Sequence, residues 1–273
     1  MKKYFGTDGI RGIPNKNLTN EIISKISSCV EEVLKPTSVA VILDTRNSSL
    51  EILNWICEGF SENIEVVNYG VLPSGSMPIL LKHFGHNLGI IISASHNPSE
   101  YNGIKLIDEN GSKLQDNIEI KIESYFENIE VPKAHTSFKD SEDGYKVYYE
   151  FLNELFDFDI TNFNIVIDSA YGSAYKIIDH LLSENNSKFN MIANTPDGEN
   201  INFESGATYT NNLCSTLKKG QIGAAFDGDA DRLIMVDEEG NTCNGDVLIL
   251  LIAKYLSATS QLNNNVVVST VMS

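Results

Sequence analysis

The sequence predicts an α/β protein with two successive three-layer α/β/α domains, whose sheets are mixed and largely parallel. Short apolar runs, bounded by glycine or polar turns, alternate with longer segments in which apolar residues recur every three or four positions. The first pattern is typical of buried strands and the second of amphipathic helices. The alternation runs to about residue 128 and restarts near residue 163, which indicates two domains of the same construction.

The first domain opens with a loop, residues 6–12, that contains three glycines and can approach a ligand closely. A helix follows, with Thr19 as its N-cap and Pro36 as its stop. Further helices are predicted at residues 49–60, 77–84 and 117–128. Strands are predicted at residues 38–43, 64–69, 88–93 and 103–108, the last of which turns at residues 108–111.

Residues 132–144 are the predicted linker, because they are poor in apolar residues and rich in charge. We therefore expect domains at 1–144 and 145–262, and residues 263–273 are expected to begin a truncated third domain. Helices of the second domain are predicted at residues 145–156, 173–182, 210–219 and 246–256. Its strands are predicted at residues 163–168, 189–193, 222–226 and 233–236, followed by a hairpin turn at 237–241, and a further strand at 266–268.

Composition indicates a folded protein with an acidic surface. The chain of 273 residues is 42% hydrophobic and has a formal net charge of −17. That charge argues against nucleic acid or an anionic membrane as a partner, because both need a cationic face. The four cysteines form no Cys-x-x-Cys pair, so neither zinc nor a disulfide framework is indicated. The sequence has no secretory signal or membrane span, and a cytoplasmic location is expected.

Ser95 is the candidate nucleophile, because it follows a buried strand in a turn suited to a phosphate. The run from Leu88 to Ile92 is apolar and too short for a helix, and the polar turn after it contains His96 and Pro98. Proline has no N–H and disfavours helical angles at the residue before it. Ser95 is therefore expected in a loop at the carboxyl end of a strand, where open α/β sheets bind ligands.

Three aspartates, Asp227, Asp229 and Asp231, alternate in the turn between two apolar strands. The alternate spacing allows all three carboxylates to point to one side. Two such charges about 4 Å apart repel by roughly 4 kcal/mol at an effective dielectric of about 20, so a divalent cation is expected to bind them. Ligation by oxygen alone, with room for a phosphate oxygen, fits Mg²⁺.

Three other interpretations of this turn stay open. The turn could be a solvated acidic loop without an ion. It could be a calcium loop of the EF-hand type, which would have Glu238 at position twelve but Arg232 where a glycine is needed. It could begin an aspartyl-phosphate phosphatase with Asp227 as nucleophile, a hypothesis that leaves the Ser95 loop unexplained.

Four segments in the same order resemble the α-D-phosphohexomutase family. They are residues 6–12, 92–98, 102–105 and 227–232. Each segment alone is a weak signal, and four in register are strong. The opening, residues 4–12, most resembles the bacterial members that act on glucosamine phosphate.

The resemblance implies an enzyme phosphorylated on Ser95, primed by a sugar bisphosphate or a kinase. It implies Mg²⁺ held by that phosphate and by Asp227, Asp229 and Asp231. Ser95 would give its phosphoryl group to a hydroxyl of a hexosamine monophosphate, the bisphosphate would turn over, and the other phosphate would return to the serine.

Several cationic groups are candidates for the same site. Arg11, Lys105 and His96 are expected to take part in catalysis, and Arg11, Lys105 and Arg232 to bind phosphate. For each cation the alternative is an ordinary surface residue, and His96 could only brace its loop. The remaining histidines are interpreted as structural.

The resemblance thus implies an isomerase that interconverts glucosamine 6-phosphate and glucosamine 1-phosphate and supplies UDP-N-acetylglucosamine synthesis. Family members have four domains, so very little turnover is expected from these 273 residues alone. Two segments, residues 73–76 and 204–209, depart from the family pattern and bear on the substrate. The alternatives are a mutase for mannose or glucose phosphate, and a non-catalytic fragment that binds a phosphosugar or metal.

Overall fold

The computed structural model describes residues 2–156, 159–185 and 187–271, and it contains two mixed sheets that follow one another along the chain. The strands of the first sheet are β1 (Ile10–Gly12), β2 (Ser38–Leu43), β3 (Glu65–Val71), β4 (Leu88–Ile92), β5 (Asn102–Asp108) and β6 (Phe138–Asp140). Their spatial order is β1-β5-β4-β2-β3-β6. The neighbours from β4 to β6 pair in parallel, whereas β5 is antiparallel to both β4 and β1.

Helices cover both faces of this sheet. They are α1 (Asn20–Leu34), α2 (Ser49–Gly59), α3 (Met77–Phe84), α4 (Asp116–Tyr125) and α5 (Asp143–Leu155). In β2, Val39 and Val41 point into one apolar core, which contains residues of α1, α2 and α4, whereas Ala40 and Ile42 point into the other, which contains residues of α3 and α5. This alternation, with both faces buried, explains why the strand is apolar throughout.

The second sheet is smaller and is built in the same way. Its strands are β7 (Asn164–Asp168), β8 (Lys188–Ile192), β9 (Ile222–Phe226), β10 (Leu233–Val236) and β11 (Thr242–Cys243), in the spatial order β11-β10-β9-β7-β8. The helices of this half are α6 (Tyr175–Glu184), α7 (Asn211–Thr216) and α8 (Gly245–Ala258). Leu213 of α7 packs on one face of the sheet and Leu182 of α6 on the other. The predicted α/β class with mixed sheets is confirmed.

Two short edge strands lie where the sequence predicts loops. β1 lies inside the glycine-rich opening segment and pairs with β5, and β6 lies inside the predicted linker and pairs with β3. Each has three residues, too few to show a periodic apolar pattern. Residues 138–140 are therefore part of the first sheet, and residues 132–144 are not a free linker.

The carboxyl-terminal segment also differs from its prediction. The apolar residues 266–268 form no strand, because no strand in the described part of the chain pairs with them, and Val268 is 84% exposed. The last two residues of the expected third domain, 272 and 273, lie outside the described residues. None of the described helices combines the length and the apolar character that a membrane crossing requires.

Candidate active site

Ser95 lies three residues beyond the end of β4 and is almost fully buried. Its φ of 52° is in the left-handed region, which is unfavourable for a residue with a side chain. The backbone N–H of Ser95 donates to Oγ of Ser93 at 2.9 Å, which holds the turn. The hydroxyl of Ser95 donates to Oδ2 of Asp227 at 2.6 Å.

The acidic turn meets Ser95 from the second sheet. Asp227, Asp229 and Asp231 lie between the antiparallel strands β9 and β10, and each offers one carboxylate oxygen within 4.8 Å of the others. Asp227 and Asp229 are buried, which excludes the solvated loop, and flanking strands rather than helices exclude the EF-hand. Burial, together with the charge of Asp229, raises the pKa of Asp227 to about 6.

Lys105 of β5 is the central cation of the site. Its Nζ lies 2.8 Å from Oδ2 of Asp229, 3.1 Å from Oδ2 of Asp231 and 2.9 Å from Oδ2 of Asp8. Burial opposes the charged ammonium, but the surrounding carboxylates outweigh it, so the pKa of Lys105 is raised and the side chain stays protonated. One buried cation thus links the opening loop, the first sheet and the acidic turn.

The two arginines border a cleft of about 440 Å³ beside this cluster. Nη2 of Arg11 donates to Oδ2 of Asp8 at 2.7 Å, and Nε of Arg232 lies 3.9 Å from Oδ2 of Asp227. Both guanidinium groups keep N–H donors that these carboxylates do not use, a feature that suits phosphoryl oxygens.

His96 is half-buried beside the serine. Its Nδ1 lies 3.5 Å from Oγ of Ser95, at the limit of a hydrogen bond. Burial and the nearby charges of Arg232 and Arg11 lower the pKa of His96, which favours the neutral ring. The neutral ring has a lone pair on one nitrogen, which can accept a hydrogen bond from a neighbouring hydroxyl group.

Four residues at the site have no role in the sequence-based prediction. Asp8 shares Lys105 with the acidic turn, and Ser74 donates from Oγ to Oδ2 of Asp229 at 3.0 Å. Arg46 and Asn202 bind the backbone of the Ser95 loop. Asp8 lies in the glycine-rich segment and could have been suggested from it, whereas nothing in the sequence distinguishes Asn202 from other loop asparagines.

The carboxylates fit a hard divalent cation. Oδ1 of Asp229 is buried without a hydrogen-bond partner among the described atoms, which is costly for a carboxylate oxygen. One carboxylate oxygen from each of Asp227, Asp229 and Asp231 gives the all-oxygen environment that Mg²⁺ prefers.

Family models match most of the chain. The model described as phosphoglucomutase/phosphomannomutase, alpha/beta/alpha domain I, matches residues 2–133. The model of alpha/beta/alpha domain II of the same family matches residues 146–240.

Curated relatives match over the whole chain. A phosphoglucosamine mutase from Clostridium kluyveri is 40% identical, with 100% of this chain and 64% of the relative covered. One from Alkaliphilus oremlandii is 38% identical with the same coverage. The chain thus spans 64% of the length of these relatives.

Solved structures share the fold at lower identity. A phosphoglucomutase/phosphomannomutase family protein from Burkholderia thailandensis has a TM-score of 0.77 and 22% identity, covering 95% of this chain and 60% of that one. The phosphoglucomutase parafusin from Paramecium, in its open form, has a TM-score of 0.71 and 20% identity, covering 93% and 57%.

Proposed function

The chain belongs to the phosphoglucomutase/phosphomannomutase family, and on that premise we propose that it carries the phosphoryl-transfer site of a phosphoglucosamine mutase. The observation that carries the proposal is the hydrogen bond of 2.6 Å from Oγ of Ser95 to Oδ2 of Asp227. It joins a buried hydroxyl of one sheet to an acidic turn of the other, beside three cationic side chains.

Ser95 is the residue proposed to carry the phosphoryl group. During transfer the bond between Oγ and phosphorus breaks and a bond from phosphorus to a sugar hydroxyl oxygen forms. The sugar hydroxyl loses a proton, and Oγ of Ser95 regains one. His96 is the proposed proton carrier, since its Nδ1 lies 3.5 Å from Oγ.

The cations are proposed to balance the phosphoryl charge. Nζ of Lys105 lies 2.8 Å from Oδ2 of Asp229. Arg11 and Arg232 border the cleft and have N–H donors that the carboxylates do not use. Positioning and charge neutralisation account for most of the catalysis of phosphoryl transfer, so these side chains are the expected contributors.

Mg²⁺ is the proposed cofactor, held by Asp227, Asp229, Asp231 and the phosphate on Ser95. When bound, it would supply positive charge to the phosphoryl oxygens. Without such a charge, the carboxylates and the phosphate would repel one another at short range.

A hexosamine phosphate is the proposed substrate, because the two relatives from Clostridium kluyveri and Alkaliphilus oremlandii are named phosphoglucosamine mutase. The product class would serve amino-sugar synthesis. We place this activity in the cytoplasm, where sugar phosphates are made and used.

Mass spectrometry of the purified chain tests the proposal. Incubation with Mg²⁺ and glucosamine 1,6-bisphosphate is expected to add one phosphoryl group, which peptide mapping should locate on Ser95. The Ser95→Ala variant should gain none, whereas Ser99→Ala, four residues away in the same segment, should label like the wild type. Faster labelling from glucosamine bisphosphate than from glucose or mannose bisphosphate is expected.

Hydroxylamine treatment distinguishes a phosphoserine from the acyl phosphate of the rival aspartyl-phosphate phosphatase. A phosphoserine survives the reagent, whereas an acyl phosphate on Asp227 would be cleaved. Loss of the label with hydroxylamine, or labelling that persists in Ser95→Ala, would contradict phosphorylation of Ser95. Either result would favour the aspartyl-phosphate phosphatase.

A further inference from the structure

The backbone of the Ser95 loop is held by a side chain from the loop between β8 and α7, in the second half of the chain. Nδ2 of Asn202 donates to the carbonyl oxygen of Ser95 at 2.8 Å and to that of Asn97 at 3.0 Å. One amide group therefore binds both ends of the turn that contains His96. Asn202 is 107 residues away from Ser95 in the sequence, so this contact depends on the apposition of the two halves.

Arg46, in the loop between β2 and α2, donates to the same carbonyl groups. Its Nη2 donates to the oxygen of Ser95 at 3.1 Å and to that of Asn97 at 2.7 Å, and its Nη1 donates to the oxygen of Pro98. Asp44, as buried as Arg46, accepts from Nε of Arg46 at 2.8 Å and fixes the guanidinium. The Ser95 loop thus lies between a fixed donor from the first half of the chain, Arg46, and a donor from the second half, Asn202.

Asn202 is itself rigidly placed. Its φ of 60° is left-handed, a conformation that asparagine adopts more readily than most residues, and its N–H donates to the oxygen of Ala170 at 2.9 Å. A Cβ at Gly228 would lie 2.7 Å from the oxygen of Ser95 and 2.9 Å from Nδ2 of Asn202. Because Gly228 follows Asp227, this close packing and the approach of the carboxylate to Ser95 occur at the same place.

We propose that Asn202 is a positioning residue that orients Ser95 toward Asp227 by clamping its loop across the two sheets, an inference that rests on the proposed function. Ser95 has a strained backbone angle that its surroundings must maintain. Without the amide of Asn202, Arg46 is the remaining described side chain that donates to the carbonyl groups of Ser95 and Asn97. Among the described residues, the second half of the chain then holds the Ser95 hydroxyl through Asp227 alone. Oγ then leaves the geometry of its 2.6 Å contact for part of the time.

Two substitutions test the clamp. Asn202→Gly keeps the left-handed backbone and removes the amide, and Asn202→Asp keeps the shape but sets a carboxylate oxygen against two carbonyl oxygens. Asn15→Gly is the matched control, because Asn15 also has a positive φ, 64°, but is exposed, and its amide donates to Glu51 rather than to the Ser95 loop. Thermal melts of all variants verify that they fold.

Two measurements are made on each protein. Hydrogen exchange, followed by mass spectrometry, reports on the peptide that contains residues 93–98 without any need for activity. The labelling of Ser95 by glucosamine 1,6-bisphosphate, measured as a function of bisphosphate concentration, separates the maximal rate from the half-saturating concentration.

Faster exchange in the loop is expected in both Asn202 variants, together with a maximal labelling rate lower by roughly 10- to 100-fold at an unchanged half-saturating concentration. The positioning role of Asn202 would be overturned if a folded Asn202→Gly protein showed the same exchange and labelling as the Asn15→Gly control. The proposed function would remain intact in that case. If the wild type takes up no phosphoryl group, the proposed function fails, and with it the positioning role. The exchange data then show separately whether the clamp exists.

Discussion

His86 is a buried histidine with a hydrogen-bond partner on each side of its ring. Nδ1 lies 2.5 Å from Oγ of Ser38, and Nε2 lies 2.7 Å from the hydroxyl of Tyr69. Burial lowers the pKa of His86 below its usual range and outweighs the field of Glu65, the charged group that favours the imidazolium. The neutral ring is therefore part of the folded structure.

This shift predicts acid sensitivity with a defined sign. The unfolded chain binds a proton at His86 near pH 6.5, whereas the folded chain binds it only at lower pH. The contribution of His86 to the free energy of unfolding is thus complete above about pH 6.5, decreases as the pH falls toward the folded pKa, and is constant below it. The pKa of Asp227 is raised to about 6, so the contribution of Asp227 to the free energy of unfolding increases as the pH falls through part of this range.

Urea unfolding at a series of pH values measures the effect. The His86→Gln variant is expected to lose about 1–2 kcal/mol at pH 8, because one hydrogen bond is broken. The difference between the variant and the wild type in the free energy of unfolding should shrink as the pH falls below about 6.5. The pH-dependent contribution of Asp227 is present in both proteins and cancels in this comparison. His83→Gln, an exposed position on α3, is the control. A difference that is constant from pH 8 to pH 5 would contradict the prediction.

The sequence identified the site residues that follow recognisable strands, but not those that act through tertiary contacts. Ser95 and Asp227 each follow an apolar run, so their meeting at the ends of strands could be predicted. Arg46 also follows a strand, but a buried arginine is recognisable only when its partners are known. Asn202 gave no signal, because its role depends on two carbonyl groups in a distant loop. The catalytic roles of the predicted residues stay predictions.

Gly59, the last residue of α2, is the point at which α2 packs directly on α1. A Cβ at this position would lie 2.1 Å from the backbone oxygen of Ser24 and 2.6 Å from Cβ of Ser27. The carbonyl oxygen of Gly59 also accepts from Oγ of Ser28 at 2.7 Å, which fixes the contact. The nearest obstacle is backbone, so the two helices must separate if the glycine gains a side chain.

The Gly59→Ala variant is expected to be less stable by about 1–3 kcal/mol, because overpacking exceeds the gain of about 1 kcal/mol in helix propensity. Urea unfolding followed by circular dichroism measures the change. Gly75→Ala is the control in the same half of the chain, since the nearest atom to its Cβ is 3.5 Å away, and its effect should stay within about 0.5 kcal/mol. Equal stabilities of the two variants would refute the packing argument.

At the level of elements, periodicity located the longer helices and strands and failed at the short ones. α1 was predictable because its apolar spacing is regular and Thr19 caps it. β1 and β6 were missed because hydrogen bonds to a neighbouring strand define them, not their own composition. Residues 266–268 show the converse, since an apolar run without a partner strand is not a strand.

The two halves of the molecule differ in the size of their cores. The first sheet is covered by two large clusters of fully buried side chains, whereas the buried clusters on the second sheet contain few large side chains. A larger apolar core gives higher resistance to opening, so the second half is expected to open first. Contacts of the site, among them Ser95 to Asp227 and Ser74 to Asp229, link its stability to that of the first half.

Hydrogen exchange at increasing urea concentrations tests this difference. Amides of β7 and β9 are expected to lose protection at a lower urea concentration than those of β2 and β4. The Lys105→Met variant should increase the gap. Without the ammonium, Asp8 of the opening loop faces Asp229 and Asp231 without the one cation that pairs with all three carboxylates, and their repulsion acts against the apposition of the halves.

Lys139→Met is the matched control for Lys105→Met. Lys139 pairs with Glu65 within the first sheet, and its side chain is 76% exposed, so its loss should leave both groups of amides unchanged. If β7 and β9 keep protection as long as β2 and β4, the core of the second half does not limit its stability. If Lys105→Met lowers the protection of both halves equally, Lys105 stabilises the whole chain rather than the junction. A gap that widens only in Lys105→Met would show that the residues gathered at the site also hold the two sheets together.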